Sequence, residues 1–115
     1  MSFRVVALSP SFRKLATEHI VSAYKRTYSR AILLDYDGTM MPQTSIDKTP
    51  SPQVTSVVNS LCNDPKNVVF IVSGRGRKSL SEWFSPCHKL GIAAEHGYFM
   101  RSSLHTYFLM FFYQL

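Results

Sequence analysis

Residues 31–39 read AILLDYDGT, so four apolar residues lead directly into two aspartates that are one residue apart. A short apolar run bounded in this way is typical of a buried strand. Side chains alternate along an extended chain, so Asp35 and Asp37 point to the same side while Tyr36 turns away. The sequence therefore predicts a strand at residues 31–34 that presents two carboxylates at its end.

The two aspartates are candidates for phosphate chemistry. Two close carboxylates repel each other, and Mg²⁺ accepts one or two carboxylates together with waters and phosphate oxygens. One carboxylate can attack phosphorus, and the second can protonate the leaving alcohol and then activate water. A calcium loop or a simple turn is the alternative. The twelfth position of an EF-hand loop starting at Asp35 is Ile46 instead of glutamate, which disfavours the calcium loop.

The rest of the chain alternates between helical and strand patterns. Residues 42–52 contain three prolines, which indicates an extended loop. Apolar spacing predicts helices at residues 10–27, 52–62 and 78–84, and strands at residues 67–72 and 90–94. This order predicts an α/β fold, with a parallel sheet that carries helices on both faces.

Polar residues follow each predicted strand. Right-handed crossovers place the carboxyl ends of parallel strands at one edge, where ligands bind. A small hydroxyl with backbone N–H groups, as in Ser73-Gly74, suits a phosphate oxygen, although residues 74–79 lack the spacing of a nucleotide-binding loop. We expect Ser73 and Gly74 beside the aspartates, with Glu95 and His96 nearby. For His96 a structural role stays open.

Composition narrows the class of protein. The chain has 115 residues and a net charge of +6, and six of its basic residues lie in residues 1–30 against one acidic residue. They form no compact cluster, so a solvated helix face is favoured over a nucleic-acid partner.

Cys62 and Cys87 have neither metal-site nor disulfide spacing, which fits a reducing cytoplasm. We expect no signal peptide, because residues 1–10 lack a sustained apolar core and a cleavage site. We also expect no membrane span from apolar residues 104–115, which are too few to cross a bilayer.

Several longer stretches resemble known proteins. LLDYDGT and VFIVSGR resemble the first two motifs of the haloacid dehalogenase (HAD) superfamily of phosphatases. Residues 3–27, 30–54 and 79–101 are similar to the plant class II trehalose-6-phosphate synthases, in which a glycosyltransferase domain is joined to a phosphatase domain. The resemblance implies three parts: residues 1–30 as the tail of the synthase region and a linker helix, residues 31–101 as the N-terminal half of a HAD-like phosphatase core, and residues 102–115 as an unrelated apolar tail.

The resemblance also implies a fold and a site. The core would be a Rossmann-type, three-layer HAD-like fold. Asp35 would be the nucleophile and a Mg²⁺ ligand. Asp37 would be the general acid/base and a second metal ligand through its backbone carbonyl. Ser73 and Gly74 would bind the phosphoryl group of trehalose 6-phosphate, in trehalose biosynthesis. The family segment AEHG, which contains Glu95 and His96, lies close to the site without a firm role.

The tail departs from the family pattern. That pattern continues beyond residue 101 with a cap domain, a stabilising lysine and a late acidic pair, and residues 102–115 do not resemble it. We therefore expect a truncated product without its cap domain and without turnover. Two functions stay open: a fragment of a Mg²⁺-dependent trehalose-6-phosphate phosphatase, or an inactive regulatory or interaction fragment. Residues 104–113 have only His105 and Thr106 as polar breaks and contain no Lys, Asp or Glu. This composition predicts self-association through the tail or through an unpaired sheet edge.

Overall fold

A computed structural model describes residues 10–102 and the backbone of residues 107–109. Predictions for residues 1–9, 103–106 and 110–115 lie outside the described residues. The elements in chain order are α1 (Thr17–Arg26), β1 (Arg30–Asp35), α2 (Pro52–Asn63), β2 (Asn67–Val72), α3 (Arg77–Trp83), β3 (Gly91–Ala94), a 3₁₀ turn (Glu95–Gly97), β4 (Phe99–Arg101) and β5 (Tyr107–Leu109). None of the described helices combines the length and the apolar character that crossing a membrane requires.

The five strands form one sheet in the order β1-β2-β3-β4-β5. The first three are parallel, and Asp35 lies opposite Val72, which in turn lies opposite Ala93. Strand β4 is antiparallel to β3, and β5 is antiparallel to β4. The predicted α/β class with parallel strands is confirmed, and the carboxyl ends of β1, β2 and β3 are level at one edge.

Local sequence explains most of the element boundaries. Ser51 caps α2 by accepting a hydrogen bond from the Val54 N–H at 3.3 Å, and Pro52 occupies the first helical turn. Strand β2 begins and ends where it was predicted, and the other predicted strands and helices from residue 31 onward agree within one residue. Residues 42–51 form a loop without a helix or strand, as predicted.

The predicted start of the first helix at residue 10 is wrong. Helix α1 begins at Thr17, and the preceding Ala16 has no side chain that could cap it. Phe12 and Leu15 are 59% and 67% exposed, and α1 buries none of its residues. Short helices gain most of their stability from packing, so residues 10–16 have too few contacts to be helical.

The sheet is covered by α2 and α3 on the same face. Their buried residues form a single core with the inward positions of the strands: Val58, Cys62, Leu80, Phe84, Val69, Ile71 and Ile92. The alternate positions Leu33, Val68 and Val72 are 70%, 56% and 39% exposed. Helices were expected on both faces of the sheet, but α2 and α3 lie on the same face. Two successive right-handed crossovers between neighbouring strands put both helices on the same side.

Arg30 fixes the start of β1 beside β2. Its Nη2 atom lies 2.7 Å from Oδ2 of Asp64, and its Nε donates to Oδ1 of Asn67 at 2.6 Å. Its guanidinium also lies over the ring of Tyr24 in α1, 3.7 Å from the centroid. These contacts tie α1 and the α2–β2 loop to the first residue of β1, which helps to set the register that ends at Asp35.

Candidate functional site

Tyr36 anchors the turn that follows β1. Its side chain is fully buried. The ring stacks on Trp83 with the centroids 5.5 Å apart and meets the edge of Phe84 at 5.9 Å. Its hydroxyl donates a hydrogen bond to the carbonyl of Lys48. Because Tyr36 points into the core, the neighbouring carboxylates lie away from it, as the alternation of side chains predicted.

Backbone hydrogen bonds close this turn tightly. The carbonyl of Tyr36 accepts from the N–H groups of Met40 at 3.0 Å and Met41 at 3.1 Å. Gly38 has a φ of +80°, which glycine adopts without strain. The hydroxyl of Thr39 donates to Oδ2 of Asp35 at 3.0 Å. The turn therefore orients the Asp35 carboxylate through Thr39.

The Ser73–Gly74 turn lies at the end of β2. Ser73 is buried, and its N–H donates to the carbonyl of Ala93 at 2.9 Å. Its Oγ accepts from the N–H of Arg75 at 3.1 Å. The hydroxyl keeps its own proton for a further acceptor, since a serine hydroxyl can accept and donate together. This arrangement suits a phosphate oxygen at the edge of the sheet.

Arg75 joins this turn to the Asp37 turn. Its Nε donates to Oδ2 of Asp37 at 2.9 Å and its Nη2 to Oδ1 at 2.7 Å, in a bidentate ion pair. The Asp37 side chain is 28% exposed and the Arg75 side chain is 32% exposed. The hydrogen bonds from Arg75 lower the pKa of Asp37 below its ordinary value. Asp37 is therefore held as a carboxylate at neutral pH.

Glu95 and His96 follow β3 in the Glu95–Gly97 turn. The N–H of Glu95 donates to the carbonyl of Arg75 at 2.9 Å, and the N–H of His96 donates to the carbonyl of Ser73 at 3.0 Å. Both side chains are exposed. The structure thus places the residues after β1, β2 and β3 at one edge of the sheet, where the sequence predicted a common site. Their chemical roles stay predictions.

Residues 33–108 match the family model described as trehalose-phosphatase. The chain belongs to the trehalose-phosphatase family. The similarity to plant synthases is also confirmed: the chain is 67% identical over 103 residues to the probable alpha,alpha-trehalose-phosphate synthase [UDP-forming] 9 of Arabidopsis thaliana, and 69% identical over 101 residues to synthase 6 of that plant. These matches cover 90% and 88% of this chain but 12% of each relative.

Two solved structures that this chain resembles are trehalose-6-phosphate phosphatases. The trehalose-6-phosphate phosphatase of Aspergillus fumigatus is 32% identical, with a TM-score of 0.78, over 84% of this chain and 36% of that chain. The C-terminal domain of the C. albicans enzyme is also 32% identical, with a TM-score of 0.76, over 84% of this chain and 34% of its own. The predicted HAD-like fold is confirmed. The division at residues 30 and 101 stays a prediction, and the family match extends to residue 108.

The trehalose-phosphatase segment offers a partial ligand set for Mg²⁺. Asp35 is an exposed carboxylate that accepts from Thr39. Both carboxylate oxygens of Asp37 accept from Arg75. Among the described residues, no group of three or more His, Cys, Asp or Glu side chains gathers as a metal site. Mg²⁺ commonly binds through one or two carboxylates with waters and substrate phosphate, so this donor set fits it.

Arg75 is the residue at this edge of the sheet that the sequence did not predict. It follows Ser73-Gly74 directly, so its position in the turn was visible. Its partner is 38 residues away in the sequence, and only the pairing of β1 with β2 brings the two turns together. A basic residue directly after the turn that was predicted to bind phosphate was the available signal.

Proposed function

We propose that this chain supplies the nucleophile side of a site that hydrolyses a phosphomonoester, with trehalose 6-phosphate as substrate. The family match and the solved phosphatases support the reaction class. The observation that carries the proposal is the bidentate Arg75–Asp37 pair, because it fixes the carboxylate turn against the Ser73–Gly74 turn. A phosphoryl group bound at Ser73 would lie beside the carboxylates of the first turn.

The residues divide the chemistry between them. An oxygen of Asp35 attacks phosphorus, the bond to the sugar oxygen breaks, and Asp37 gives a proton to the departing alkoxide. Asp37 then takes a proton from water as the water oxygen attacks the aspartyl-phosphate and releases inorganic phosphate. The ion pair with Arg75 lowers the pKa of Asp37 and so makes it a weaker base. The pair must therefore weaken before Asp37 can take up from solvent the proton that it gives to the alkoxide.

Magnesium is the proposed cofactor. When bound, it supplies positive charge that offsets the charge on the phosphoryl oxygens. The Asp35 carboxylate and the backbone carbonyl of Asp37 would hold it, since the Asp37 side chain is engaged by Arg75. Two buried free thiols, Cys62 and Cys87, support a reducing compartment such as the cytoplasm.

A second candidate function is phosphate binding without turnover, in a regulatory or interaction role. The favouring observation is again at Asp37, where both oxygens are held by Arg75 and the pKa is lowered. An acid held as a carboxylate does not readily protonate a leaving group. The chain also spans about 12% of the length of its plant relatives. Any activity of the whole protein is therefore proposed here and does not follow from the match.

Two measurements on the 115-residue chain separate these functions. The first is phosphate release from trehalose 6-phosphate with and without Mg²⁺, on the wild type, Asp35→Asn and the control Asp47→Asn. The second is the change in the backbone amide shifts of Ser73 and Gly74 when inorganic phosphate is added. Release that needs Mg²⁺ and Asp35 but not Asp47 would support hydrolysis. Amide shifts without release would support the binding role, and neither signal would overturn both.

A further inference from the structure

The Glu95–Gly97 turn has a backbone conformation that residues other than glycine rarely adopt. The φ angles of Glu95, His96 and Gly97 are 51°, 58° and 87°. In this left-handed region the β-carbon crowds the following carbonyl oxygen, and only glycine avoids the penalty. Such a conformation persists where the surrounding structure imposes it, which is common beside functional sites.

The turn is imposed by contacts with residues 73–75. Its first two amides donate to the carbonyls of Arg75 and Ser73, at 2.9 Å and 3.0 Å. The imidazole of His96 lies directly against Gly74. A β-carbon added to Gly74 would lie 2.5 Å from Cε1 and 2.7 Å from Nε2 of His96. Side chains do not approach a β-carbon so closely, so only glycine fits at position 74 while the ring is in place.

We propose that His96 is a positioning residue that holds the Ser73–Gly74 turn in the conformation that receives phosphate. The amides of Ser73 and Arg75 already donate to Ala93 and to the Ser73 hydroxyl. We therefore assign the Gly74 N–H and the Ser73 O–H to the phosphate oxygens. The ring of His96 closes one side of Gly74 and keeps this N–H from turning away.

The His96 ring restricts a glycine backbone that would otherwise be flexible. Gly74 has no side chain and can adopt the widest range of backbone angles. Without the contact with His96 its N–H would therefore sample many directions. Binding a phosphate would then require ordering the turn at the same moment, which weakens affinity. The His96 ring and the two amides of its turn provide that order in advance. This role rests on the proposed binding of phosphate by Ser73 and Gly74.

Paired glycine variants test the contact. Gly76 lies two residues from Gly74, and a β-carbon added there meets nothing within 4 Å, so Gly76→Ala is the matched control. The probe is inorganic phosphate with Mg²⁺, followed by backbone amide shifts. We expect Gly74→Ala to weaken phosphate binding by about tenfold or more, and Gly76→Ala by less than about twofold.

Two changes at His96 complete the test. In a His96→Gly background, which removes the ring, adding Gly74→Ala should weaken binding by less than about twofold, because contacting residues are energetically coupled. His96→Asn tolerates the left-handed backbone but lacks the ring, and should weaken binding by about threefold to tenfold while the fold is retained. Thermal unfolding of each variant checks the fold. If Gly74→Ala alone unfolds, recovery of the folded state in the double variant supports the contact.

The outcomes separate this role from the proposed function. A wild-type chain whose Ser73 and Gly74 amides do not respond to phosphate would overturn this role, and the proposed function falls with it only if the chain also releases no phosphate from trehalose 6-phosphate. A wild-type chain that binds phosphate, together with equal losses from Gly74→Ala in both backgrounds, would overturn only the role of His96. Unchanged phosphate affinity in His96→Asn would also overturn it.

Discussion

Replacing Tyr36 by alanine should remove the anchor that sends Asp35 and Asp37 to the same side of the chain. The Tyr36 ring is fully buried against Trp83 and Phe84, and its hydroxyl holds the carbonyl of Lys48. Truncating a buried aromatic residue to alanine lowers the free energy of unfolding by about 3–5 kcal/mol. The turn that carries both carboxylates would lose its attachment to the core.

The contribution of the hydroxyl can be separated from that of the ring. Tyr36→Phe keeps the aromatic contacts and removes one hydrogen bond, so it should lower the free energy of unfolding by about 1 kcal/mol. The ring then accounts for about 2–4 kcal/mol of the alanine effect. Tyr28 is 84% exposed, so Tyr28→Ala is the control and should change stability by less than about 0.5 kcal/mol.

The assay is urea unfolding followed by tryptophan fluorescence. Trp83 is the single tryptophan of the chain and stacks on Tyr36, so its emission reports on this contact directly. Circular dichroism on the same samples checks that both signals follow one transition. If Tyr36→Ala lies within about 1 kcal/mol of the wild type, or equals Tyr36→Phe, the anchoring role of the ring is refuted.

Three further predictions concern charge, thiols and association. Arg75→Gln should raise the lowered pKa of Asp37 toward its ordinary value of about 4. In the wild type the contribution of this pair to the free energy of unfolding should be present above about pH 4, and it should be lost as the pH falls through the lowered pKa. Carboxyl ¹³C titrations and acid unfolding of both forms check this, and identical titrations would contradict it. Burial raises the pKa of Cys62 to about 11 and also raises that of Cys87, so iodoacetamide at pH 8 should modify the folded chain far more slowly than the urea-unfolded chain, and equal rates would count against buried thiols. Light scattering should show more self-association for the whole chain than for a chain ending at Arg101; a monodisperse whole chain would refute this, and equal scattering would point to the exposed sheet face instead.

Elements with strong local signals were predictable from the sequence. The apolar run of β2 and the Ser51-Pro52 start of α2 specify their elements through side-chain burial and capping. Helix α1 was predicted too long because its periodic apolar residues suggest a buried face, whereas the structure buries none of them. Strands β4 and β5 were missed, since three residues are too few to show a period.

The site was predictable where it depends on one strand and unpredictable where two turns meet. Alternation along β1 placed Asp35 and Asp37 on one side, and the parallel order of strands placed Ser73 at the same edge. The Arg75–Asp37 pair and the contact of His96 with Gly74 depend on how the turns pack in space. A sequence pattern carries no information on such distances.

The strand order also divides the site between regions of different local stability. In the described sheet β2 has a neighbour on each side, whereas β1 has one. Amide hydrogens exchange with solvent through local opening, which is rarest in central strands and most frequent at edges. Deuterium should therefore enter β1 sooner than β2. Strand β1, which ends at Asp35, would undergo local opening many times for each opening of β2, which leads into Ser73. A bound phosphate that bridges the two turns would slow the exchange of the β1 amides in particular.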